Sequence, residues 1–280
     1  MPDNWFLEKH TPHAGLTLAY RRRLHDEQTP FQRIEVFETQ EYGKLLTLDG
    51  YVMLTDRDEF VYHEMITHVP LFAHGAPRDV LIIGGGDGGT LRECLKHEQV
   101  QQVTLVEIDG RVMDVSRQYF PQVAVALDDP RARVLVDDGF EHLRGRENSY
   151  DVVLCDSIDP VGEAAKLFTA EFYGLVHRAL RPGGVATFQS ESPFYSSKVL
   201  REVVQDLSSI FRHVAPYLAA IPTYPSGLWS FTFASDRVDP RLVVPPTDAP
   251  LLAGLQYYTP PLFQAAFTLP RYVERAIAGE

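Results

Sequence analysis

Cysteine is almost missing. Cys94 and Cys155 are the only two in 280 residues, and each sits inside an apolar or helical stretch. Two such thiols cannot supply a disulfide framework, so a reducing compartment is expected. Long hydrophobic runs are missing too, since none approaches the roughly 20 residues that a membrane helix needs. The opening residues, MPDNWFLEKH, show neither a basic leader nor an apolar core, so no secretory signal is read there and the expected location is cytoplasmic. Positive charge is in deficit. A formal net charge of −12 argues against a nucleic-acid partner and in favour of cationic ones. The single basic run, Arg21 to Arg23, lies in a strand-like context and reads as a solvated edge. Metal-ligand spacing fails as well: His63 and His68 stand five apart, about 140° round a helix, and do not form the i, i+4 zinc pair. No metal is expected.

What remains is an ordinary globular composition with two styles of patterning. From residue 14 to about 55, apolar and polar side chains alternate between turn signals. The stretches LTLAYRRRLH, QRIEVFET and GKLLTLDGYVMLT read as short antiparallel strands, with Asp49-Gly50 a hairpin turn. The style then changes. DEFVYHEMITHVPLFAHG carries Val61, Met65, Val69 and Phe72 on one helical stripe, with Asp58 as its N-cap. After it, DVLIIGGGDGG, QVTLVEIDG, ARVLVDDGF, YDVVLCDS and GGVATFQS alternate with helix-length segments. Each run is short, continuously apolar and ends in glycine or acid, as parallel strands buried on both faces do. The expected fold is α/β: a Rossmann-like doubly wound sheet beside a small N-terminal antiparallel β domain, divided as 1–57 and 58–280. RHVAPYLAAIPTYPSGLWSFTFAS adds two strands around a Pro-Gly turn, antiparallel at the sheet edge.

In such sheets ligands bind outside the carboxyl ends of the strands. The first strand ends in IIGGGDGGTLREC, where Gly84, Gly86 and Gly88 let the backbone turn sharply and approach a ligand. The second ends in Glu107, 23 residues beyond Gly84, where a carboxylate can accept from both hydroxyls of a ribose; Asp109 is the rival for that task. The third ends in Asp137-Asp138-Gly139, where an acid can accept from an exocyclic amine such as adenine's. Together these acids argue for an adenosine compound. A dinucleotide would rest its pyrophosphate on the loop amides, but Asp87 stands inside that loop and opposes a phosphate. The ligand's tail should be cationic. The fourth strand ends in LCDSIDPVG, with Asp156 and Asp159 three apart, and two carboxylates there also call for a cation.

Combined, GGGDGG, EID, DDG and D-S-x-D-P resemble the spermidine synthases, the polyamine aminopropyltransferases. The likeness runs along nearly the whole chain: LDG at 48–50, RDEFVYHEM at 57–65, IPTYPSG at 221–227 and YYTPPLFQAAFTLPRY at 257–272. The resemblance implies a methyltransferase-like Rossmann domain, a homodimer or homotetramer, and no cofactor beyond a co-substrate, decarboxylated S-adenosylmethionine. It implies transfer of that donor's aminopropyl group to a diamine such as putrescine, giving spermidine and methylthioadenosine. By the same resemblance Asp87 would meet the aminopropyl amine, Glu107 the ribose, Asp138 and Gly139 the adenine, and Gln32 the donor from the β domain. Asp156 would take the proton of the attacking nitrogen and Asp159 would anchor the distal ammonium. Tyr62, His63, Gln189 and Tyr224 would surround the acceptor, with Trp5 either lining its channel or packing at the N-terminus.

Three positions depart from the family pattern: Ile158 for a second Ser/Thr, Glu163 where a proline often borders the adenine, and Met53 for a glutamine. Residues 157–172 read as a gate over the site, and Glu163 is expected to favour a longer or more basic acceptor. The alternatives are another acceptor (cadaverine, agmatine or spermidine), an S-adenosylmethionine-dependent methyltransferase, or a non-catalytic polyamine-binding paralogue. Asp87 speaks against the methyltransferase, whose donor keeps a carboxylate.

Overall fold

The computed structural model describes residues 4–160 and 162–280. The expected N-terminal domain and the leader reading both begin in residues 1–3, and Val161 belongs to the expected gate; these four lie outside the described residues.

The first sheet is an antiparallel meander of β1 (Asn4–Thr11), β2 (Ala14–Gln28), β3 (Arg33–Thr39), β4 (Lys44–Leu48) and β5 (Tyr51–Thr55) in sequential order. Asp49 and Gly50 join the last two with φ of +51° and +83°, the left-handed pair that a two-residue hairpin turn needs. β1 is missing from the alternation read at 14–55 because its pattern is inverted. Trp5 and Leu7 point outward, 60% and 53% exposed, while the acid Glu8 faces in. Beyond Tyr20, β2 has no β1 partner among the described residues, and Arg21 to Arg23 are exposed, with Arg22 on Glu38 and Arg23 on Glu35.

The second sheet has seven strands: β6 (Asp79–Gly84), β7 (Gln102–Glu107), β8 (Ala132–Val136), β9 (Tyr150–Asp156), β10 (Leu180–Gln189), β11 (His213–Ala219) and β12 (Trp229–Ser235). Their order is β11-β12-β10-β9-β6-β7-β8, parallel from β10 to β8, with β12 and β11 antiparallel at one edge. This is the expected α/β, methyltransferase-like Rossmann arrangement. β6 and β9 are covered on both faces, so Val80 to Ile83 and Val152 to Cys155 are all buried. The chain runs outward through β7 and β8, then returns to the other side of β6 as β9. That reversal opens a crevice at the carboxyl ends of β6 and β9.

Helix α1 (Glu59–His74) leads into this sheet, α2 (Gly89–Leu95) follows β6, and α3 (Gly110–Tyr119) follows β7. The stripe Val61, Met65, Val69 and Phe72 is buried, but so is most of the rest of α1, which lies beneath the sheet with neighbours all round. Asp58 corrects the sequence reading. It stands at the N-cap position but makes no capping bond. Its carboxylate accepts instead from Thr55 Oγ1 at 2.5 Å, and from Thr223 N and Oγ1 at 3.1 and 2.7 Å, tying α1 to the IPTYPSG loop. Val112 and Val115 of α3 pack with Ile34, Val36, Leu46 and Leu54 of the first sheet, which docks that sheet over the crevice. Among the described residues no helix is long and apolar enough to cross a membrane.

Candidate active site

Where the two sheets meet, a cavity of about 320 Å³ opens at the β6/β9 switch point. Asp87, Asp156 and Asp159 all line it, so the three acids picked from two stretches of sequence share one hollow. Gln32, Tyr62, His63, Gly84, Gly86, Glu107, Asp138, Gly139, Gln189 and Tyr224 line it too. Lys166 is the one lysine or arginine among its described lining residues. The expected bias toward cations is built in.

At one end the cavity is lined by the glycine loop after β6 and by the acids that close β7 and follow β8. Gly84 pairs with Asp156 across β6 and β9. Gly85, which the sequence reading passed over, has φ of +67°, and a Cβ there would lie 2.8 Å from the Asp156 carboxylate. A Cβ on Gly86 would lie 2.8 Å from the side chain of Glu107. The loop must therefore be bare for these carboxylates to approach it. Glu107 accepts from Gly86 N at 3.2 Å and Asp109 N at 2.9 Å, and burial pushes its carboxyl up to about 7. A buried carboxyl with spare lone pairs suits a pair of hydroxyl donors. Asp109, the rival, does not line the cavity. It caps α3 and accepts from Thr29 Oγ1 at 2.7 Å and Gln32 Nε2 at 3.1 Å, so it holds Gln32 in place. Asp138 caps the helix that begins at Gly139 and also takes Lys166 Nζ at 2.6 Å. Lys166 in turn reaches Glu163 at 2.9 Å. The structure thus places Glu163 beside Asp138, the two carboxylates sharing Lys166.

The two loop acids differ in state. Asp87 accepts from Gly89 N at 2.6 Å and faces His63 Nε2 at 3.2 Å. Burial would raise its carboxyl, but the His63 cation holds it below the usual carboxylate range. Asp156 accepts from Tyr62 Oη at 2.7 Å and Thr90 Oγ1 at 2.6 Å. Burial and the charge of Asp87 push it up to about 6. One carboxylate stays ionised, and its neighbour is poised to exchange a proton near neutrality. Cys155, next in chain to Asp156, is buried with its thiol pushed well up by burial, and serves the core.

The far end holds acids that sequence reasoning missed. Glu8 lines the cavity, accepts from Val52 N at 2.7 Å, and is pushed up to about 7 by burial, with Asp159 adding to the rise. Glu191 is hydrogen-bonded to Asp159, and burial and that neighbour's charge raise its carboxyl well above the usual range. The inverted face of β1 was the one signal that could have found Glu8. Glu191 left none. Gln189 positions it by accepting from Glu191 N at 3.0 Å. Tyr224 donates to the Met53 carbonyl at 2.6 Å and stands 5.8 Å from the ring of Tyr62, and all three residues line the cavity. Trp5 is outside the cavity.

Fold and site together define a Rossmann-like protein with an acid-lined cavity at the carboxyl ends of its parallel strands. Residues 59–242 match the spermine/spermidine synthase domain, and residues 4–56 match the spermidine synthase tetramerisation domain. The chain is 49% identical to polyamine aminopropyltransferase 1 of Bacillus cereus over 96% of its length and 97% of the relative's. It is 46% identical to the polyamine aminopropyltransferase of Bacillus subtilis over 99% and 100% of the two chains. The crystal structure of spermidine synthase from Thermotoga maritima superposes with a TM-score of 0.93 at 39% identity, covering 100% of this chain and 96% of that one. A spermidine synthase in complex with the transition-state analogue AdoDATO gives 0.95 at 39% identity, covering 100% and 97%. The chain belongs to the spermine/spermidine synthase family and is an enzyme.

Proposed function

We propose that the enzyme moves the aminopropyl group of decarboxylated S-adenosylmethionine to putrescine, giving spermidine and methylthioadenosine. One observation carries this reading. A single cavity holds an ionised Asp87 beside a proton-exchanging Asp156, with a second acidic cluster at its far end. A sulfonium donor with an ammonium tail and a diamine with two ammoniums together need those sites. In the step itself, one amine of putrescine gives its proton to Asp156, and its lone pair attacks the propyl carbon. The carbon–sulfur bond breaks onto sulfur, so the thioether leaves neutral and no covalent enzyme intermediate forms. The distal ammonium rests at Asp159 and Glu8.

Product analysis tests this. Purified enzyme given decarboxylated donor and an equimolar mixture of putrescine, cadaverine, agmatine and spermidine should yield chiefly spermidine and methylthioadenosine. A product led by another acceptor would replace putrescine, and methyl transfer from S-adenosylmethionine would replace the reaction. Its pairing with Lys166 beside Asp138 favours assigning Glu163 to the donor side over acceptor choice. Glu163→Pro should therefore leave the acceptor ranking unchanged, and a reordered ranking would bring the earlier expectation back.

A homodimer or homotetramer also belongs to this proposal. The match of residues 4–56 to a tetramerisation domain supports it, as do the outward-facing Trp5 and Leu7 on edge strand β1. Light scattering that returns the mass of one chain at micromolar concentration would remove it.

A further inference from the structure

We propose that Glu59 is a positioning residue acting through His63: it keeps the imidazole doubly protonated between two carboxylates, and so fixes Asp87 where the donor's ammonium must dock. The inference rests on the aminopropyl-transfer reading for its consequence, though not for its geometry. Glu59 and His63 are four apart on α1 and share a face. His63 Nδ1 is directed at Glu59 Oε2, and Nε2 at Asp87 Oδ1, 3.2 Å away. A neutral imidazole has one N–H and one lone pair, so one carboxylate would face a bare nitrogen. With a carboxylate at each nitrogen, both must carry hydrogen. Burial lowers the pKa of His63, yet Asp87 and then Glu59 hold it up at about 10.

Glu59 is itself held rigidly. Arg92 of α2 grips it through Nη1 on Oε1 and Nη2 on Oε2, both at 2.9 Å, while its Nε lies 2.8 Å from Glu93. The ring packs directly on Gly89, where a Cβ would stand 2.3 Å from His63 Cε1. The groups that face His63 are Glu59 and Tyr62 from its own helix, Asp87 from the loop, and Asp156 from β9, whose carboxyl the imidazolium pulls down. An imidazolium has no lone pair for an ammonium, so His63 serves the donor by orienting Asp87 and not by accepting from the amine.

Nitrogen-15 NMR of the histidine-labelled enzyme reads His63 directly, without substrate. In the wild type its ring should stay protonated through pH 9. Glu59→Gln should bring the titration down toward about pH 7 to 8, nearer the free imidazole. Above that pH the variant's KM for decarboxylated donor should rise about tenfold, with kcat falling less. Arg92→Met, which frees Glu59 without removing it, should give a smaller shift of the same sign. In a His63→Gln background, Glu59→Gln should add nothing further. An unchanged His63 titration in Glu59→Gln, or a rise in KM that does not follow pH, overturns the role of Glu59 whatever the reaction. A shifted titration in an enzyme inert toward the donor upholds the tie between Glu59 and His63 and counts against the reaction alone.

Discussion

Asparagine in place of Asp156 is expected to lower kcat by about 10²- to 10⁴-fold, the range for a positioned proton acceptor, while donor affinity stays within about threefold of wild type. The substitution is conservative in shape. Oδ1 can still accept from Tyr62, and the new amide can donate to the Thr90 hydroxyl, which now meets Oδ2 at 2.6 Å. The charge and the basic site go, and little else. The proposed nucleoside contacts lie on other residues, Glu107 and Asp138, so calorimetric titration with donor should change little. The pH profile offers a second check. Burial and Asp87 raise the Asp156 carboxyl to about 6. Below that pH it is protonated and cannot take a proton from the amine, so wild-type kcat/KM should fall on the acid side near pH 6. In the asparagine variant that limb should vanish. Near-normal turnover, or an acid limb that survives the substitution, would show that another group accepts the proton.

The sequence was legible where one strand's environment decides its composition. Val80 to Ile83 and Val152 to Cys155 are buried on both faces, so they read as unbroken apolar runs. Asp49-Gly50 adopts two positive φ values, and few other pairs tolerate that. The acids closing β6, β7 and β9 could be grouped because parallel neighbours end on the same side, which turns Asp87, Glu107 and Asp156 into a cluster. Where function reversed the local rule, the reading failed. β1 turns Trp5 and Leu7 outward and Glu8 inward, and so shows no ordinary strand pattern. Asp58 has the position of a cap, but Thr223, 165 residues away, claims its oxygens. Lys166 and Glu163 are neighbours by spacing, yet the third member, Asp138, is 28 residues off and emerges only when the gate is laid over β8. Glu191 has φ of +69° in a loop after β10, and nothing in its local sequence marks it as a partner of Asp159.

The proposed reaction makes Asp87 the selector of the donor, and Asp87→Asn should then erase a preference. S-adenosylmethionine and its decarboxylated form differ by one carboxylate next to the tail ammonium. On the proposed reading the wild-type ammonium gains a charge-assisted bond from Asp87, and the carboxylate is repelled. Hydrogen bonds to charged groups contribute about 1.5–3 kcal/mol, so Asp87→Asn should weaken decarboxylated donor about 10- to 100-fold. S-adenosylmethionine loses the same bond but also escapes the repulsion, so its affinity should hold or rise and the ratio of the two should collapse. The loop itself should survive, because the amide oxygen can still accept from Gly89 N, now at 2.6 Å. A second effect follows from the charge of Asp87, which is one of the causes holding Asp156 up. Removing it should move the acid limb of kcat/KM below pH 6, in the direction opposite to a loss of the His63 cation. Paired calorimetric titrations of the two donors, with one pH profile, measure both effects. An unchanged donor ratio would place the selectivity elsewhere in the cavity, and an unmoved limb would mean that the two carboxylates do not share a field.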